Sequence, residues 1–181
     1  SSDGGRSWVR INEGLDGTTL SLQALAVSPA NAATVYAGTC CGIYATTDGG
    51  AHWSPLNDGD LGWLPQVQAL AIDPRAPATI YAGTVWGNVF KTTDGRHWVW
   101  SGQGLPGAHV YALAIDPVHP DTVYASIYDG AEGPPDTRFG HGVFKSTDGG
   151  ANWFAAGTGL GNPIVRTLAV DPANPQTVYA G

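Results

Sequence analysis

Acidic and aromatic side chains gather in a few loops of this chain, and they are residue types that bind and cleave polysaccharides. Hydrolysis of a glycosidic bond needs two carboxylates flanking the bond, and the rings of Trp63 and Trp86 could stack on sugar faces. The carboxylates that no repeated pattern of the sequence explains are Asp58, Asp60, Asp129, Glu132 and Asp136. No spacing fixes a pair among them, and a solvated acidic loop explains the same residues.

Other site chemistries find little support. The sequence holds no Ser-His-Asp arrangement, phosphate loop or zinc-ligand spacing. Asp129, Glu132 and Asp136 could bind calcium, but their spacing matches no standard calcium loop. We therefore predict neither a metal site nor a cofactor.

The two cysteines, Cys40 and Cys41, are adjacent, which suits neither a disulfide framework nor a metal site. Neighbouring cysteines can close a strained eight-membered ring, and the alternative is a pair of thiols in a loop. Both interpretations stay open, and the cysteines leave the compartment undecided.

Composition narrows the class of protein. Only 8 of the 181 residues are Lys or Arg and the net charge is −7, so nucleic acid is a poor partner. With 43% hydrophobic residues, 26 Gly and 13 Pro, the chain is turn-rich yet too apolar for disorder. No apolar run is long enough to insert in a membrane. Because the chain lacks Met and begins inside a motif, we interpret Ser1 as a processed or trimmed end.

Two interleaved motifs recur along the whole chain. The segment 22–38, L-Q-A-L-A-V-S-P-A-N-A-A-T-V-Y-A-G, returns at 67–83, 110–126 and 165–181. An acidic turn of the form S/T-x-D-G-(G)-x-x-W occurs four times, at 1–8, 46–53, 92–98 and 146–153. Repeats of this length indicate one supersecondary unit that cannot bury its face alone.

Each unit reads as four short strands, A to D, broken by Gly, Pro and Asp-Gly. We predict an all-β fold: a β-propeller of four-stranded antiparallel blades, with the small A-L-A strand innermost and the Tyr of V-Y-A-G between blades. The predicted blades are 22–57, 67–101 and 110–156, followed by strands A and B alone at 165–181 and preceded by an outer strand within 1–12.

A structural role explains each recurring residue of the acidic turns. The carboxylate accepts hydrogen bonds from turn amides, Gly supplies positive φ, and Trp covers the hairpin. In the third turn Arg96 stands where a Gly is expected, so we predict a shorter hairpin there. The residues with this structural role are Asp3, Trp8, Asp48, Trp53, Asp94, Trp98, Asp148 and Trp153.

In both motifs, the chain resembles the BNR or Asp-box repeat propellers related to sortilin, to the photosystem II assembly factor and to xyloglucanases. The resemblance covers the entire chain. It implies a propeller fold and acidic turns that are structural, and it says little of activity, because this fold hosts many roles. We expect an extracellular or periplasmic location and a bacterial source.

The strand count leaves an incomplete circle. The outer strand at 1–12 has no C strand beside it, and the fourth blade lacks its C strand. We therefore expect the open edges to be completed by the remaining blades of a longer chain or by a neighbouring subunit.

Residues outside the repeat pattern fall in the B–C and D–A loops, which a meander places on one face, opposite the acidic turns. The third B–C loop, 126–146, is much longer than its counterparts 38–46 and 83–92. Such an insertion often marks a binding face, and the alternative is a tolerated surface insertion, because loop length costs little stability. The predicted ligand-binding residues on this loop face are Cys40, Cys41, Trp63, Trp86, His109, Tyr128, Asp129, Glu132, Asp136, Arg138 and His141.

We predict a non-catalytic scaffold whose loop face binds a protein or a polysaccharide. The alternative is a fragment of a BNR-type glycoside hydrolase, similar to xyloglucanases or sialidases, whose catalytic carboxylates are incomplete in this piece. Against the sialidase form, the arginines are scattered and R-I-N at Arg10 does not match that family's signature.

Overall fold

The computed structural model describes residues 1–15, 21–60, 66–128 and 140–181. Within these ranges all regular structure is β, as predicted: fifteen strands form four sheets, and neighbouring strands are antiparallel with one exception. Each sheet corresponds to one copy of the repeat.

Sheet I has its strands in chain order: β1 (Leu22–Val27), β2 (Val35–Thr39), β3 (Gly42–Thr46) and β4 (Ser54–Pro55). Sheet III repeats that order with β10 (His109–Ile115), β11 (Val123–Tyr128), β12 (Gly140–Ser146) and β13 (Phe154–Ala155). Sheet IV has two strands, β14 (Leu168–Val170) and β15 (Val178–Ala180).

Sheet II has the same meander plus one strand at its outer edge. Its members are β5 (Asp58–Gly59), β6 (Val67–Ile72), β7 (Ile80–Thr84), β8 (Val89–Thr92) and β9 (His97–Trp100). The short β5 comes from the connection after sheet I and pairs with β9 in parallel. It covers an edge that would otherwise expose unpaired backbone groups.

The sheets stack through their inner strands. Side chains of β1, β6 and β10 together line a groove of about 400 Å³, so these three strands share one surface. Glycines of the V-Y-A-G strands make the close approach possible: a Cβ on Gly38 would lie 2.8 Å from Cγ1 of Val67, and one on Gly83 would lie 2.5 Å from Cγ1 of Val110. Each valine belongs to the next sheet, so the junctions of sheets I and II and of sheets II and III each insert a valine against a glycine.

Aromatic side chains seal the same junctions. Trp98 is packed in one cluster with Tyr36 and Val67, and Trp153 in another with Tyr81 and Val110. The Tyr81 hydroxyl donates to Gly149 O at 3.0 Å, crossing from sheet II to the acidic turn of sheet III. Tyr36 and Tyr81 of the V-Y-A-G strands therefore pack between sheets.

Hydrogen bonds to the aspartate carboxylates close the acidic turns. In the second, Asp48 accepts hydrogen bonds from Thr46 Oγ1 at 2.7 Å and from the backbone N of His52 at 3.0 Å, while Gly49 and Gly50 have φ of 75° and 95°. In the third, Asp94 accepts from the backbone N of Arg96 and of His97, both at 2.8 Å. The carboxylate thus closes a hairpin one residue shorter.

One expectation needs correction. Residues 1–12, for which an outer strand is predicted, form no strand, and the side chains of residues 1–10 are all exposed. An outer strand is held by the third strand of its own sheet, and none lies beside this segment in the described structure. The first acidic turn nevertheless closes, because Ser7 N donates to Asp3 Oδ1 at 3.0 Å.

Candidate functional site

The B–C connections and the starts of the inner strands meet at one end of each sheet. Cys40 N donates to Ser21 O and Val85 N donates to Gln66 O, each at 3.0 Å. At the opposite end, Gly49 N of an acidic turn donates to Ala33 O at 2.8 Å. The loop face and the acidic turns therefore occupy opposite ends of the sheets.

Three rings form an aromatic cluster on the loop face of sheet III. His109 and Tyr128 are opposite each other in the β10–β11 register. The ring of Tyr111 is stacked on His109, with centroids 6.1 Å apart, and tilted against Tyr128, with centroids 5.8 Å apart. Sequence reasoning selects His109 and Tyr128 but misses Tyr111, which joins them.

Trp86 presents an indole that is 70% exposed. Its loop is fixed by Gly87, whose φ is 80° and whose Cα lies against the backbone of Gly107 and Ala108, directly before the aromatic cluster. A side chain at Gly87 would clash there, so the close approach requires glycine.

A second indole, Trp100, lies at the end of β9 and is 47% exposed. Its Nε1 donates to Asn88 Oδ1 at 3.0 Å, which attaches the ring to the loop that carries Trp86. The sequence contains a signal for both missed aromatics: Trp100 replaces Pro55 and Ala155 of the other repeats, and Tyr111 replaces glutamine.

Asp58 and Asp60, in the connection after sheet I, pair with or hydrogen-bond to the outer strand of sheet II. Asp60 Oδ2 accepts a hydrogen bond from Trp100 N at 3.1 Å, and Asp60 N donates to Trp98 O at 2.9 Å. Asp58 lies in β5 opposite His97. These contacts give both residues a structural role, which explains their presence without catalysis.

The cysteine pair occupies the B–C loop of sheet I. The two sulfur atoms lie 2.9 Å apart and no disulfide joins them, so the eight-membered ring is not formed in this structure. The contact with Cys41 lowers the pKa of the Cys40 thiol and raises the pKa of Cys41. The Cys41 side chain is exposed on the loop face.

Several predicted site residues lie outside the described residues, namely Trp63, Asp129, Glu132, Asp136 and Arg138. His141 is described and lies exposed in β12. Across the four described ranges, no three His, Cys, Asp or Glu side chains are grouped so as to hold a metal ion. The same ranges contain no helix of a length and apolarity that could cross a bilayer.

Comparisons with known proteins show the fold alone. No family model and no curated protein matches the chain. An ancestral GH74 enzyme is 24% identical with a TM-score of 0.68, over 88% of this chain and 21% of that one. The GH74 xyloglucanase from Xanthomonas campestris is 18% identical with a TM-score of 0.67, over 96% and 28% of the two chains. The extracellular domain of a one-component system of B. thetaiotaomicron is 13% identical with a TM-score of 0.65, over 89% and 20%.

These neighbours make the fold propeller-type, with antiparallel four-stranded sheets as its units. The chain spans only 20–28% of the length of these three proteins.

Proposed function

We propose that this chain is a non-catalytic, propeller-type module whose loop face binds a neutral polysaccharide. The observation that carries the proposal is the exposed indole of Trp86 beside the aromatic cluster of His109, Tyr111 and Tyr128. Flat rings with polar edges suit sugar rings, which offer C–H faces for stacking and hydroxyls for hydrogen bonding.

Charge favours a neutral ligand over an acidic one. The net charge is −7, and the Lys and Arg residues form no cluster in the sequence. A polyanion would be repelled by this surface. The xyloglucan acted on by the Xanthomonas campestris neighbour is a neutral glycan, which supports the choice of probe.

The acidic turns are unsuited to acid–base catalysis. Hydrogen bonds from Ser7 lower the pKa of Asp3 to about 2, and those from Asn152 lower the pKa of Asp148 to about 2. A general acid must carry a proton near neutral pH, and these carboxylates are ionised there. Together with the structural role of Asp58 and Asp60, this supports binding without hydrolysis.

The repeat type and the cellular location are further parts of the proposal. We assign the repeats to the Asp-box type on the four acidic turns, and we propose an extracellular or periplasmic location because polysaccharides are met outside the cytoplasm. The extracellular neighbour from B. thetaiotaomicron is consistent with that location.

A second candidate is a piece of a glycoside hydrolase whose catalytic carboxylates lie partly beyond the described residues. The similarity to two GH74 enzymes favours it. Incubation of the chain, and of a longer parent where one exists, with xyloglucan and β-glucan, followed by a reducing-sugar assay, separates the two candidates. Release of reducing ends would replace the non-catalytic assignment.

The binding proposal is tested by calorimetric titration with soluble xyloglucan and hydroxyethylcellulose. Trp86→Ala is expected to weaken binding about tenfold, which corresponds to about 1.4 kcal/mol. Trp8→Ala is the matched control, because Trp8 is 81% exposed but belongs to an acidic turn. Equal binding by both variants, or no binding by the unmodified chain, would refute the proposal.

A further inference from the structure

Every copy of the inner strand contains a β-bulge at the same place. The register with the second strand shifts between Leu22 and Ala24, between Val67 and Ala69, and between Val110 and Ala112. In the fourth copy, the backbone N atoms of Arg166 and Thr167 both donate to Gly181 O, at 2.7 and 3.0 Å. One extra residue per repeat is therefore left out of the ladder: Gln23, Gln68, Tyr111 and Arg166, which we name the bulge row.

The bulge row lies at the loop-face end of the inner strands. The residues opposite the bulges are Gly38, Gly83 and Ser126, next to the B–C connections. The other ends of β1, β6 and β10 line their shared groove with residues such as Val27, Ile72 and Ile115. Bulges re-aim side chains and recur beside binding sites, so this end of the strands carries side chains that the ladder does not dictate.

The residue types in the bulge row differ from their surroundings. The inner strands are otherwise built mainly of Ala, Leu, Ile and Val, whereas the bulge row contains two amides, a phenol and a guanidinium. A bulge is a backbone feature and requires no long polar side chain. The polar ends therefore need a separate explanation, and hydrogen bonding to a ligand supplies one.

Gln68 shows an unfilled hydrogen-bonding position directly. Its Oε1 is buried and accepts no hydrogen bond. A buried acceptor without a donor destabilises a fold. Because Gln68 as a residue is only partly buried, a rotation of its side chain would let Oε1 accept a hydrogen bond from a ligand. In the neighbouring repeat, Gln23 is exposed and its Nε2 donates to Ser21 Oγ at 2.7 Å.

Tyr111 connects the bulge row to the stacking surface. It belongs to the row by register and to the aromatic cluster by its contacts with His109 and Tyr128. Hydrogen-bonding groups and stacking rings are thereby continuous on one face. We infer that the bulge row forms the hydrogen-bonding part of the polysaccharide site and recognises the ring hydroxyls of a neutral β-glucan backbone; this inference rests on the proposed function.

The test uses the full chain and the same calorimetric titration with xyloglucan. Gln68→Ala and Tyr111→Phe each remove a hydrogen-bonding group, and each is expected to weaken binding about three- to tenfold. Gln176→Ala is the matched control, because Gln176 is exposed in the turn between β14 and β15 at the opposite end of the sheets. We expect it to bind as the unmodified chain does.

Thermal unfolding separates a binding role from a structural one. Because Oε1 of Gln68 makes no hydrogen bond, Gln68→Ala should unfold at or above the temperature of the unmodified chain. A lower unfolding temperature together with weaker binding would assign Gln68 a structural role and overturn the inference.

The outcomes distinguish this inference from the proposed function. If Trp86→Ala weakens binding while Gln68→Ala and Tyr111→Phe bind normally, the bulge row is excluded from the site and the polysaccharide face stands. If the unmodified chain binds neither xyloglucan nor hydroxyethylcellulose, both proposals fall.

Discussion

The carboxylate of each acidic turn takes a hydrogen bond from the side chain directly before the tryptophan, although that residue changes from copy to copy. Oδ2 lies 2.6 Å from Ser7 Oγ in the first turn and 2.8 Å from Asn152 Nδ2 in the fourth. In the second and third it lies 2.8 Å from His52 Nδ1 and 2.7 Å from His97 Nδ1. The position therefore needs a donor, and two turns use one that titrates.

The histidine turns should make stability depend on pH. The hydrogen bond to Asp48 raises the pKa of His52, and that to Asp94 raises the pKa of His97. A histidine whose pKa is higher in the folded state than in the unfolded state stabilises the fold when it is protonated. This stabilisation is fully present below the unfolded-state pKa of about 6.5 and is lost as the pH rises through the folded-state pKa. The double variant His52→Asn, His97→Asn keeps a donor, as Asn152 shows, but loses this dependence.

Thermal unfolding from about pH 5.5 to 8.5 measures the effect. The unfolding temperature of the unmodified chain should exceed that of the double variant most at the acid end, and the difference should shrink as pH rises above about 6.5. His141→Asn, outside the acidic turns, is the control. A gap of the same size at every pH would contradict the account.

Two buried tryptophans offer a matched comparison of hydrogen bonding. Trp153 Nε1 donates to Ser101 O at 2.7 Å, whereas Trp98 Nε1 is buried and has no hydrogen-bond partner. Trp153→Phe should therefore lower the free energy of unfolding by about 1–3 kcal/mol more than Trp98→Phe does. Urea unfolding of both variants checks the order, and a greater loss for Trp98→Phe would reverse the argument.

At the scale of elements, the contact between a valine and a glycine decides how closely the sheets stack. Gly83→Ala places a methyl group against Val110, which should cost about 1–3 kcal/mol of unfolding free energy. Gly107→Ala is the control, because no atom lies within 4 Å of a Cβ there. Adding Val110→Ala to Gly83→Ala should recover part of the loss, and strict additivity in urea unfolding would argue against the contact.

The repeat predicts the inner elements well because each copy confirms the others. The strand of V-Y-A-G and the acidic turn are governed by local sequence, by alternation and by Asp-Gly chemistry. The outer elements depend on partners distant in sequence, so β5 escapes sequence reasoning and the strand expected within 1–12 does not form. Tyr111 and Trp100 were detectable in principle, as departures from the repeat, but Trp63 and the inserted loop lie outside the described structure.

At the scale of the whole molecule, two opposite surfaces stay apolar and exposed. On sheet I, β1 exposes Leu22, Leu25 and Val27, and on sheet IV Tyr179 is 62% exposed. At the interior junctions the equivalent surfaces cover each other, as Val67 covers Gly38. We propose that a further sheet of the same repeat, from a longer chain or a neighbouring subunit, covers each surface.

The central claim is that the loop face, which carries the exposed Trp86, binds polysaccharide. Heteronuclear NMR of the indole N–H groups of all seven tryptophans, with and without a xyloglucan oligosaccharide, tests it most directly. The account predicts saturable shifts for Trp86 and smaller shifts for Trp100, with Trp8 and the buried Trp53, Trp98 and Trp153 unchanged. Stationary signals at millimolar oligosaccharide, or shifts confined to Trp8, would contradict it.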